Sequence, residues 1–256
     1  MKAAAIYENG PPDVLRYEDV ADPVCPDGCV LVEVEAISIE GGDLLARAAS
    51  PPPATPHIVG YLCAGTVREV GAGVESPAVG DKVVALGADG SHAEKRVVPA
   101  VMTWPIPDGL DPAVAACIPV ALGTAHECLF TAGSLEQGQT ALIHAGAGGV
   151  GMAAVQMAAQ AGATVISTAS SDEKLERLKP LGLDHGINYA NESFVDRVRE
   201  LTDGRGVDVV LDSVGGKNLV DSIEALAYRG TLVSVGVAGR GGSDIEAKSL
   251  WAKNNT

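Results

Sequence analysis

Three glycines near the middle of the chain have the spacing of a phosphate-binding turn. Residues 146–151 are Gly-Ala-Gly-Gly-Val-Gly, which fits the pattern Gly-x-Gly-x-x-Gly. In this pattern the first glycine permits a tight turn, the second lets the backbone approach a pyrophosphate, and the third lets helix and strand pack closely. Amide groups at the start of the following helix would meet the phosphates. The pattern therefore predicts a nicotinamide dinucleotide site formed by Gly146, Gly148, Gly149, Val150 and Gly151.

The residues on either side of this turn make the prediction specific. Residues 140–144 have the apolar pattern of a buried strand, and the small side chains of residues 150–161 predict a helix. A glycine pattern between a strand and a helix is typical of a dinucleotide-binding Rossmann domain. A glycine-rich turn that binds no ligand is the alternative interpretation.

The end of the next strand, predicted over residues 163–168, should distinguish NADPH from NADH. An acidic residue about 20 positions after the glycine turn holds the ribose hydroxyls of NAD. This strand end carries no acid, whereas Ser170 and Ser171 can donate to a phosphate and Lys174 can neutralise it, which favours NADPH. Alternatively, the serines only cap the next helix and Lys174 is solvated, and Asp172 complicates the local charge.

Two later strand ends predict further cofactor contacts, because the carboxyl ends of parallel strands line the cofactor crevice. We expect backbone groups of Ser213, Val214, Gly236 and Val237 to contact the cofactor. Asp212 could instead cap the turn that follows its strand.

The elements that position these residues fall into two patterns. In the first half, β-rich runs at 2–7, 30–37, 65–70 and 81–86 alternate with Gly- and Pro-rich turns and suggest a small barrel-like β domain. From about residue 110 helices and strands alternate, which implies a parallel sheet with right-handed crossovers. Its strands are predicted at 140–144, 163–168, 184–188, 207–211 and 231–235. Its helices are predicted at 121–132, 150–161, 172–181, 193–202 and 218–226.

Composition excludes several other classes of protein. The net charge of −15 disfavours nucleic acid and anionic membranes as partners. The five cysteines include no Cys-x-x-Cys pair, and the N-terminus lacks an apolar signal segment. These features predict a cytoplasmic protein with no disulfide framework.

Several short segments occur together in an order and spacing that resemble the medium-chain dehydrogenase/reductase superfamily, in its zinc-free quinone oxidoreductase (zeta-crystallin-like) branch. They are residues 1–3, 65–67, 70–74, 79–83, 146–151, 187–189, 206–212 and 230–233. The resemblance implies an α/β protein with a GroES-like β domain over 1–120 and a Rossmann NADP-binding domain over 121–256. Family members are longer and dimerise. We therefore expect the sixth Rossmann strand and a return segment to be missing here, and the full-length protein to be a homodimer.

Zinc is the main division within this superfamily. Where zinc-dependent members carry Cys and Gly-His-Glu, this chain has Ser38 and Gly60-Tyr61-Leu62, so no metal is expected. Without a metal to polarise an alcohol, the activity implied is hydride transfer from NADPH to a ready acceptor, a quinone or an α,β-unsaturated carbonyl.

The resemblance also implies roles for individual residues. Relatives place a segment Gly-Val-Asn-x-x-Asp over the nicotinamide; here Asp43 is kept, Glu40 replaces the Asn, and Leu45 replaces a common Tyr. Glu40 would orient the cofactor amide or relay a proton, or else be a solvent-facing acid. Tyr61 would hydrogen-bond the acceptor carbonyl or only pack in the core.

Two more positions correspond to cofactor contacts of relatives. Thr124 matches a threonine near the nicotinamide, and Tyr189 matches a tyrosine beside the adenosine phosphate, although it could be a surface residue at a strand end.

Two other functions stay open. One is an enoyl-thioester reductase, because residues 144–157 also resemble reductase domains of polyketide synthases. The other is a non-catalytic NADPH-binding protein.

Overall fold

The computed structural model describes residues 1–49 and 51–239. The chain divides into two compact units, one spanning Met1–Pro119 and one beginning at Val120. Each unit buries its own hydrophobic clusters. Among the helices of the described residues, none is both long and apolar enough to cross a bilayer.

The first unit is built mainly of antiparallel strands. Its strands are β1 (Lys2–Ile6), β2 (Arg16–Asp19), β3 (Cys29–Ser38), β4 (His57–Ile58), β5 (Leu62–Val70), β6 (Lys82–Leu86), β7 (Lys95–Pro99) and β8 (Thr103–Pro105). They form a five-stranded sheet in the order β7-β3-β5-β6-β8 and a three-stranded sheet in the order β2-β1-β4. Val30, Val32, Val67 and Val83 bury their side chains in one cluster of the larger sheet. The β-rich first half predicted from the short strands is confirmed.

Two helices complete the first unit, α1 (Gly41–Ala49) and α2 (Pro112–Ala116). Asp111 caps α2 by accepting a hydrogen bond from the Ala113 amide, and Pro112 is the first helical residue, positions that aspartate and proline favour. The sequence does not predict helix α1, because Gly41 and Gly42 at its start have poor helix propensity. This unpredicted helix carries Asp43 in its first turn.

The second unit contains a parallel sheet flanked by helices. Its strands are β9 (Thr140–Ile143), β10 (Thr164–Ala169), β11 (His185–Asn188), β12 (Val207–Asp212) and β13 (Leu226–Ser234). Its helices are α4 (Gly149–Gln160), α5 (Asp172–Leu178), α6 (Phe194–Leu201) and α7 (Lys217–Ala225), preceded by α3 (Ile118–His126). Every strand pair is parallel, in the order β11-β10-β9-β12-β13. This sheet confirms the predicted Rossmann architecture.

The strand order places a topological switch point at β9. The chain leaves β9 towards β10 and β11 on one side and crosses to β12 and β13 on the other. In open parallel sheets ligands bind beyond the carboxyl ends of the strands at such a point. The glycine turn directly follows β9.

Two helices and two strands depart from their predicted bounds by more than two residues. The strands are β5, which is predicted over 65–70 and begins at Leu62, and β13, which is predicted over 231–235 and begins at Leu226. The helix predicted over 121–132 begins at Ile118, and its second half is a π-helix over Glu127–Ala132. The helix predicted over 172–181 ends at Leu178 and continues as a 3₁₀ turn over Lys179–Leu181, because Pro180 has no N–H for the α-helical pattern. The predicted lack of a sixth strand concerns residues after 239, which lie outside the described residues.

Candidate functional site

The turn between β9 and α4 leaves no room for a side chain at two of its glycines. A Cβ on Gly146 would lie 2.0 Å from the Ser167 hydroxyl oxygen of β10. A Cβ on Gly151 would lie 2.3 Å from the Ala145 carbonyl oxygen and 2.6 Å from the Gly146 Cα. These contacts are the physical basis for the first and third glycines of the pattern: close packing of the turn on β10 and of α4 on the turn.

The glycines between them are different. A Cβ on Gly148 would lie 3.3 Å from its nearest neighbour, the Ala145 carbonyl oxygen, and a Cβ on Gly149 would lie 3.8 Å from its nearest neighbour. Both residues are exposed. The protein's own packing therefore does not demand glycine at Gly149, and the exposed backbone can be approached closely from outside, as a pyrophosphate requires.

The start of α4 is suited to an anion. Its N-cap residue is Gly148, which has no side chain to satisfy the first amides of the helix. Those amides, at Gly149, Val150 and Gly151, lack acceptors within the helix and carry the positive end of its dipole. A bound phosphate would satisfy them. The five residues predicted from the glycine pattern thus lie together on one turn.

A buried histidine supports this turn from below. His144 is fully buried, with Nδ1 3.0 Å from the Thr168 hydroxyl and Nε2 2.9 Å from the Ser222 hydroxyl. Ser222 donates its own proton to the Asn218 carbonyl, so Nε2–H donates to Ser222 and Nδ1 accepts from Thr168. Thr168 also accepts from the Ala145 amide of the turn. Burial lowers the pKa of His144 to about 4, although the nearby Asp212 carboxylate acts in the opposite direction. The ring is therefore neutral near pH 7. The sequence alone indicates no role for this histidine.

The end of β10 brings together the residues predicted for a ribose phosphate. The Lys174 ammonium donates to the Ser170 hydroxyl at 2.8 Å, and both side chains are exposed. Ser171 caps α5 by accepting from the Lys174 amide at 3.4 Å. The Asp172 carboxylate accepts from the Asn188 side chain at 2.9 Å. Ser170 and Lys174 therefore form a small cationic pair, whereas Ser171 has the capping role that the alternative interpretation gave it.

Tyr189 follows β11 and is 55% exposed. Its amide donates to the carbonyl of Ala169, the last residue of β10, at 3.2 Å. This bond places its backbone beside the strand end that precedes Ser170.

The ends of β12 and β13 lie side by side. A Cβ on Gly236 would meet the Ser213 carbonyl oxygen at 2.6 Å, and the Ala238 amide donates to the same oxygen at 3.3 Å. Val214 is half-buried and Val237 is exposed. Asp212 is fully buried and accepts from the amides of Val214 and Gly215 and from the Asn218 side chain, so it caps the turn.

In the first unit, Asp43 organises the predicted acceptor residues. It is 2% exposed, and its carboxylate accepts from the Glu40 amide at 2.8 Å and from the Tyr61 amide at 3.1 Å. Glu40 is half-buried and accepts from the Ser38 hydroxyl at 2.6 Å. The structure therefore brings Glu40, Asp43 and Tyr61 together through backbone hydrogen bonds, and Glu40 is not a fully solvated loop acid.

His92 is a neighbour of Asp43 that the sequence did not indicate. Its Nε2 lies 3.9 Å from the carboxylate. Burial lowers the pKa of His92, against the opposing effect of Asp43, so the ring is neutral near pH 7 and the contact is not an ion pair. Thr124 lies on α3, where it is half-buried.

The described residues contain no cluster of three His, Cys, Asp or Glu side chains that could hold a metal ion. Cys63, two residues after Tyr61, is buried in the apolar cluster of the larger sheet of the first unit.

Comparison with known families matches both units. Residues 26–108 match the alcohol dehydrogenase GroES-like domain, and residues 149–256 match the family described as zinc-binding dehydrogenase. The 2-haloacrylate reductase of a Burkholderia species is 37% identical over 243 residues, which cover 92% of this chain and 73% of that protein. Erythronolide synthase from Saccharopolyspora erythraea is 39% identical over 232 residues, covering 89% of this chain and 6% of that much longer protein.

Solved structures agree with the sequence matches. Quinone oxidoreductase from Pseudomonas syringae superposes with a TM-score of 0.94 at 33% identity, covering all of this chain and 80% of that one. The Escherichia coli quinone oxidoreductase complexed with NADPH also gives a TM-score of 0.94, at 30% identity, covering all of this chain and 79% of that one.

Proposed function

The chain belongs to the medium-chain dehydrogenase/reductase superfamily, among its quinone oxidoreductase-like members, and on that premise we propose that it is an NADPH-dependent, zinc-independent oxidoreductase. Its acceptor is a quinone or an α,β-unsaturated carbonyl compound. The observation that carries the proposal is the glycine turn, whose crowded glycines fix the backbone next to the exposed Gly148 and Gly149, where the first amides of α4 lack acceptors within the helix. An E. coli relative of the same fold has been solved with NADPH, which supports the choice of cofactor.

The residues of the second unit would bind the cofactor. The amides of Gly149, Val150 and Gly151 would hold the pyrophosphate, next to Gly146 and Gly148. Ser170 and Lys174 would hold the 2′-phosphate, with Ser171 and Tyr189 beside them. Ser213, Val214, Gly236 and Val237 would contribute contacts from the strand ends, and Thr124 from α3.

When bound, NADPH supplies a hydride equivalent to an electron-poor carbon. The chain's own contribution is to bind, orient and exclude water. Tyr61 would donate a hydrogen bond to the acceptor carbonyl oxygen, where negative charge develops during reduction. Asp43 would hold the Tyr61 backbone, and Glu40, tethered by Ser38, would orient the nicotinamide amide or pass a proton from solvent.

The zinc-independent part of the proposal is supported by residue chemistry. Ser38 and Tyr61 stand where zinc-dependent members carry Cys and His, and Leu62 stands where they carry Glu. A serine hydroxyl, a phenol and an aliphatic side chain do not make the three-ligand set that catalytic zinc needs.

The proposal is tested by mixing the intact protein with NADPH and either p-benzoquinone or cyclohexenone, and following the loss of NADPH absorbance. We expect turnover with at least one acceptor, no dependence on added zinc or on a chelator, and tighter binding of NADPH than of NADH by fluorescence titration. Binding of NADPH without any turnover would indicate instead a non-catalytic NADPH-binding protein. Absence of NADPH binding would contradict both.

A second candidate function is reduction of enoyl thioesters. It is favoured by similarity to the solved CurK enoyl reductase, which superposes with a TM-score of 0.86 at 30% identity and covers 98% of this chain and 77% of that one. A crotonyl thioester offered at the same NADPH concentration distinguishes the two. A kcat/KM for the thioester above that for the quinone and the enone would favour this candidate.

A further inference from the structure

A buried arginine converges on the residues around Tyr61. Arg96 lies on β7 and is 2% exposed. Its Nη1 donates to the Tyr61 carbonyl oxygen at 2.6 Å and to the Ala85 carbonyl oxygen at 3.3 Å. Its Nη2 donates to the carbonyl oxygens of Gly60, at 3.2 Å, and Asp89. The guanidinium is thus surrounded by main-chain oxygens of three separate segments.

Burying the charged Arg96 guanidinium is unfavourable in free energy. A buried charge loses its hydration, and proteins usually offset that loss with a paired carboxylate. Within residues 1–49 and 51–239, every oxygen that accepts from Arg96 is an uncharged carbonyl. An apolar side chain would fill this sheet position with a smaller loss of hydration free energy. We therefore expect the function of Arg96 to lie in the backbone segments to which it donates hydrogen bonds.

Arg96 donates hydrogen bonds to the carbonyl oxygens of Gly60 and Tyr61, on the two sides of the Tyr61 residue. Gly60 has a φ of +114°, and a Cβ there would lie 2.0 Å from the Ser91 hydroxyl oxygen. The Tyr61 amide donates to Asp43 while its carbonyl accepts from Arg96. Two buried charged groups of opposite sign therefore fix the two ends of one residue.

The Tyr61 ring is placed by a third contact. A Cβ on Gly42 would lie 2.4 Å from the phenol oxygen and 2.5 Å from Cε2, so the ring lies directly against the first turn of α1. With its backbone held at both ends, Tyr61 can move its hydroxyl only by turning its ring about the side-chain bonds, away from Gly42.

We propose that Arg96 is a positioning residue that, together with Asp43, aims the Tyr61 phenol at the carbonyl oxygen of the acceptor. This inference rests on the proposed function, in which Tyr61 donates a hydrogen bond to that oxygen. Arg96 itself touches neither acceptor nor cofactor in this scheme. Its effect on turnover passes entirely through Tyr61.

The test compares Arg96→Met with Arg68→Met, the same substitution at an exposed arginine of β5 that pairs with Glu33. Native-state hydrogen exchange of the intact protein should show the Tyr61 amide exchanging about tenfold faster or more in Arg96→Met, and unchanged in Arg68→Met. Arg96→Lys, which keeps the charge and some donors, should restore most of the protection. Unchanged exchange at Tyr61 in Arg96→Met would overturn the proposal.

The link to turnover is tested by a double-mutant cycle with Tyr61→Phe. Arg96→Met should lower kcat about 10- to 100-fold while the dissociation constant for NADPH stays unchanged. In the Tyr61→Phe background the same substitution should cost less than about twofold, because the group it positions is gone. Additive losses would overturn the proposal.

Two further outcomes keep the proposal separate from the proposed function. If wild-type protein turns over no acceptor yet Tyr61 loses protection in Arg96→Met, the proposed function fails and the positioning of Tyr61 stands. If Arg96→Met does not fold, Arg96→Lys and Arg96→Gln carry the same exchange and cycle measurements, with the larger effect expected for Gln.

Discussion

The glycine turn of the second unit and the segment around Tyr61 in the first unit are held by different kinds of interaction. In the turn, Gly146 packs against the Ser167 and Leu178 side chains, and Gly151 packs against the backbone of Ala145 and Gly146. Around Tyr61, two buried charged side chains, Asp43 and Arg96, hold the backbone by its amide and its carbonyl. One region is thus shaped by close packing of atoms against glycines, and the other by hydrogen bonds with charged side chains from separate parts of the sequence.

This difference has consequences for tolerance to change. A tightly packed turn relaxes poorly when an atom is added, because its neighbours are themselves packed into the sheet and the helices. A loop held by side chains can shift when one side chain moves, but it depends on each charged group keeping its partner. Additions should therefore damage the first kind of region most, and deletions or protonation the second.

The largest expected effect comes from the same substitution made in each region. Gly151→Ala places a Cβ 2.3 Å from a backbone oxygen, whereas Gly42→Ala places one 2.4 Å from the end of the Tyr61 side chain. We expect Gly151→Ala to lower the free energy of unfolding by about 2–4 kcal/mol and Gly42→Ala by less than about 1 kcal/mol. Urea unfolding measures both. Equal losses would mean that the two regions are equally rigid.

The next effect concerns the titratable histidine beneath the glycine turn. Because His144 has a pKa of about 4 when folded and about 6.5 when unfolded, the unfolded chain binds more protons between these values. The contribution of His144 to the free energy of unfolding is therefore constant above about pH 6.5 and falls as the pH drops towards 4. By linkage the loss is about 2–3 kcal/mol at pH 4.5.

His144→Gln provides the control for this prediction, since glutamine can still accept from Thr168 and donate to Ser222. Its unfolding free energy should fall less steeply than wild type over the same pH range, because carboxylates contribute equally to both. Parallel curves for the two proteins would show that folding does not lower the pKa of His144.

The smallest effect tests the exposed edge of the cofactor site. Lys174→Ala removes the ammonium that contacts Ser170 and should raise the dissociation constant for NADPH about tenfold, with that for NADH nearly unchanged. Lys179→Ala removes a lysine just beyond the same helix, paired with Glu176, and should change neither constant. A similar weakening of both cofactors by Lys174→Ala would place the 2′-phosphate elsewhere.

Much of the second unit can be predicted from sequence because its signals are local. Strand–turn–helix repeats, the spacing of the glycines and the serine caps each depend on a few consecutive residues. Ser171 and Ser193 cap α5 and α6 as such patterns lead one to expect. The predicted end of α5 at residue 181 is too late. Pro180 cannot continue the α-helical hydrogen bonds, so α5 ends at Leu178 and a 3₁₀ turn follows over Lys179–Leu181.

The first unit is less predictable because its decisive contacts join distant residues. The sequence does not predict helix α1, because its two leading glycines are poor helix formers. Its first turn is held by a local bond from the Glu40 amide to Asp43 and by a tertiary bond from the Tyr61 amide to the same carboxylate. Nothing near Arg96 in the sequence indicates a buried side chain, since it lies between Lys95 and Val97 on a strand. Its partners, Gly60, Tyr61, Ala85 and Asp89, are 7 to 36 residues away.

The sequence by itself determined the glycine turn and the parallel sheet that presents it, because glycine identity and hydrophobic period act over short stretches of chain. Only the tertiary structure decided that Asp43 and Arg96 meet at Tyr61, and that His144 lies beneath the turn bonded to Thr168 and Ser222. The physical reason is that a buried polar group must find a partner wherever the fold supplies one. That partner has no fixed distance along the chain.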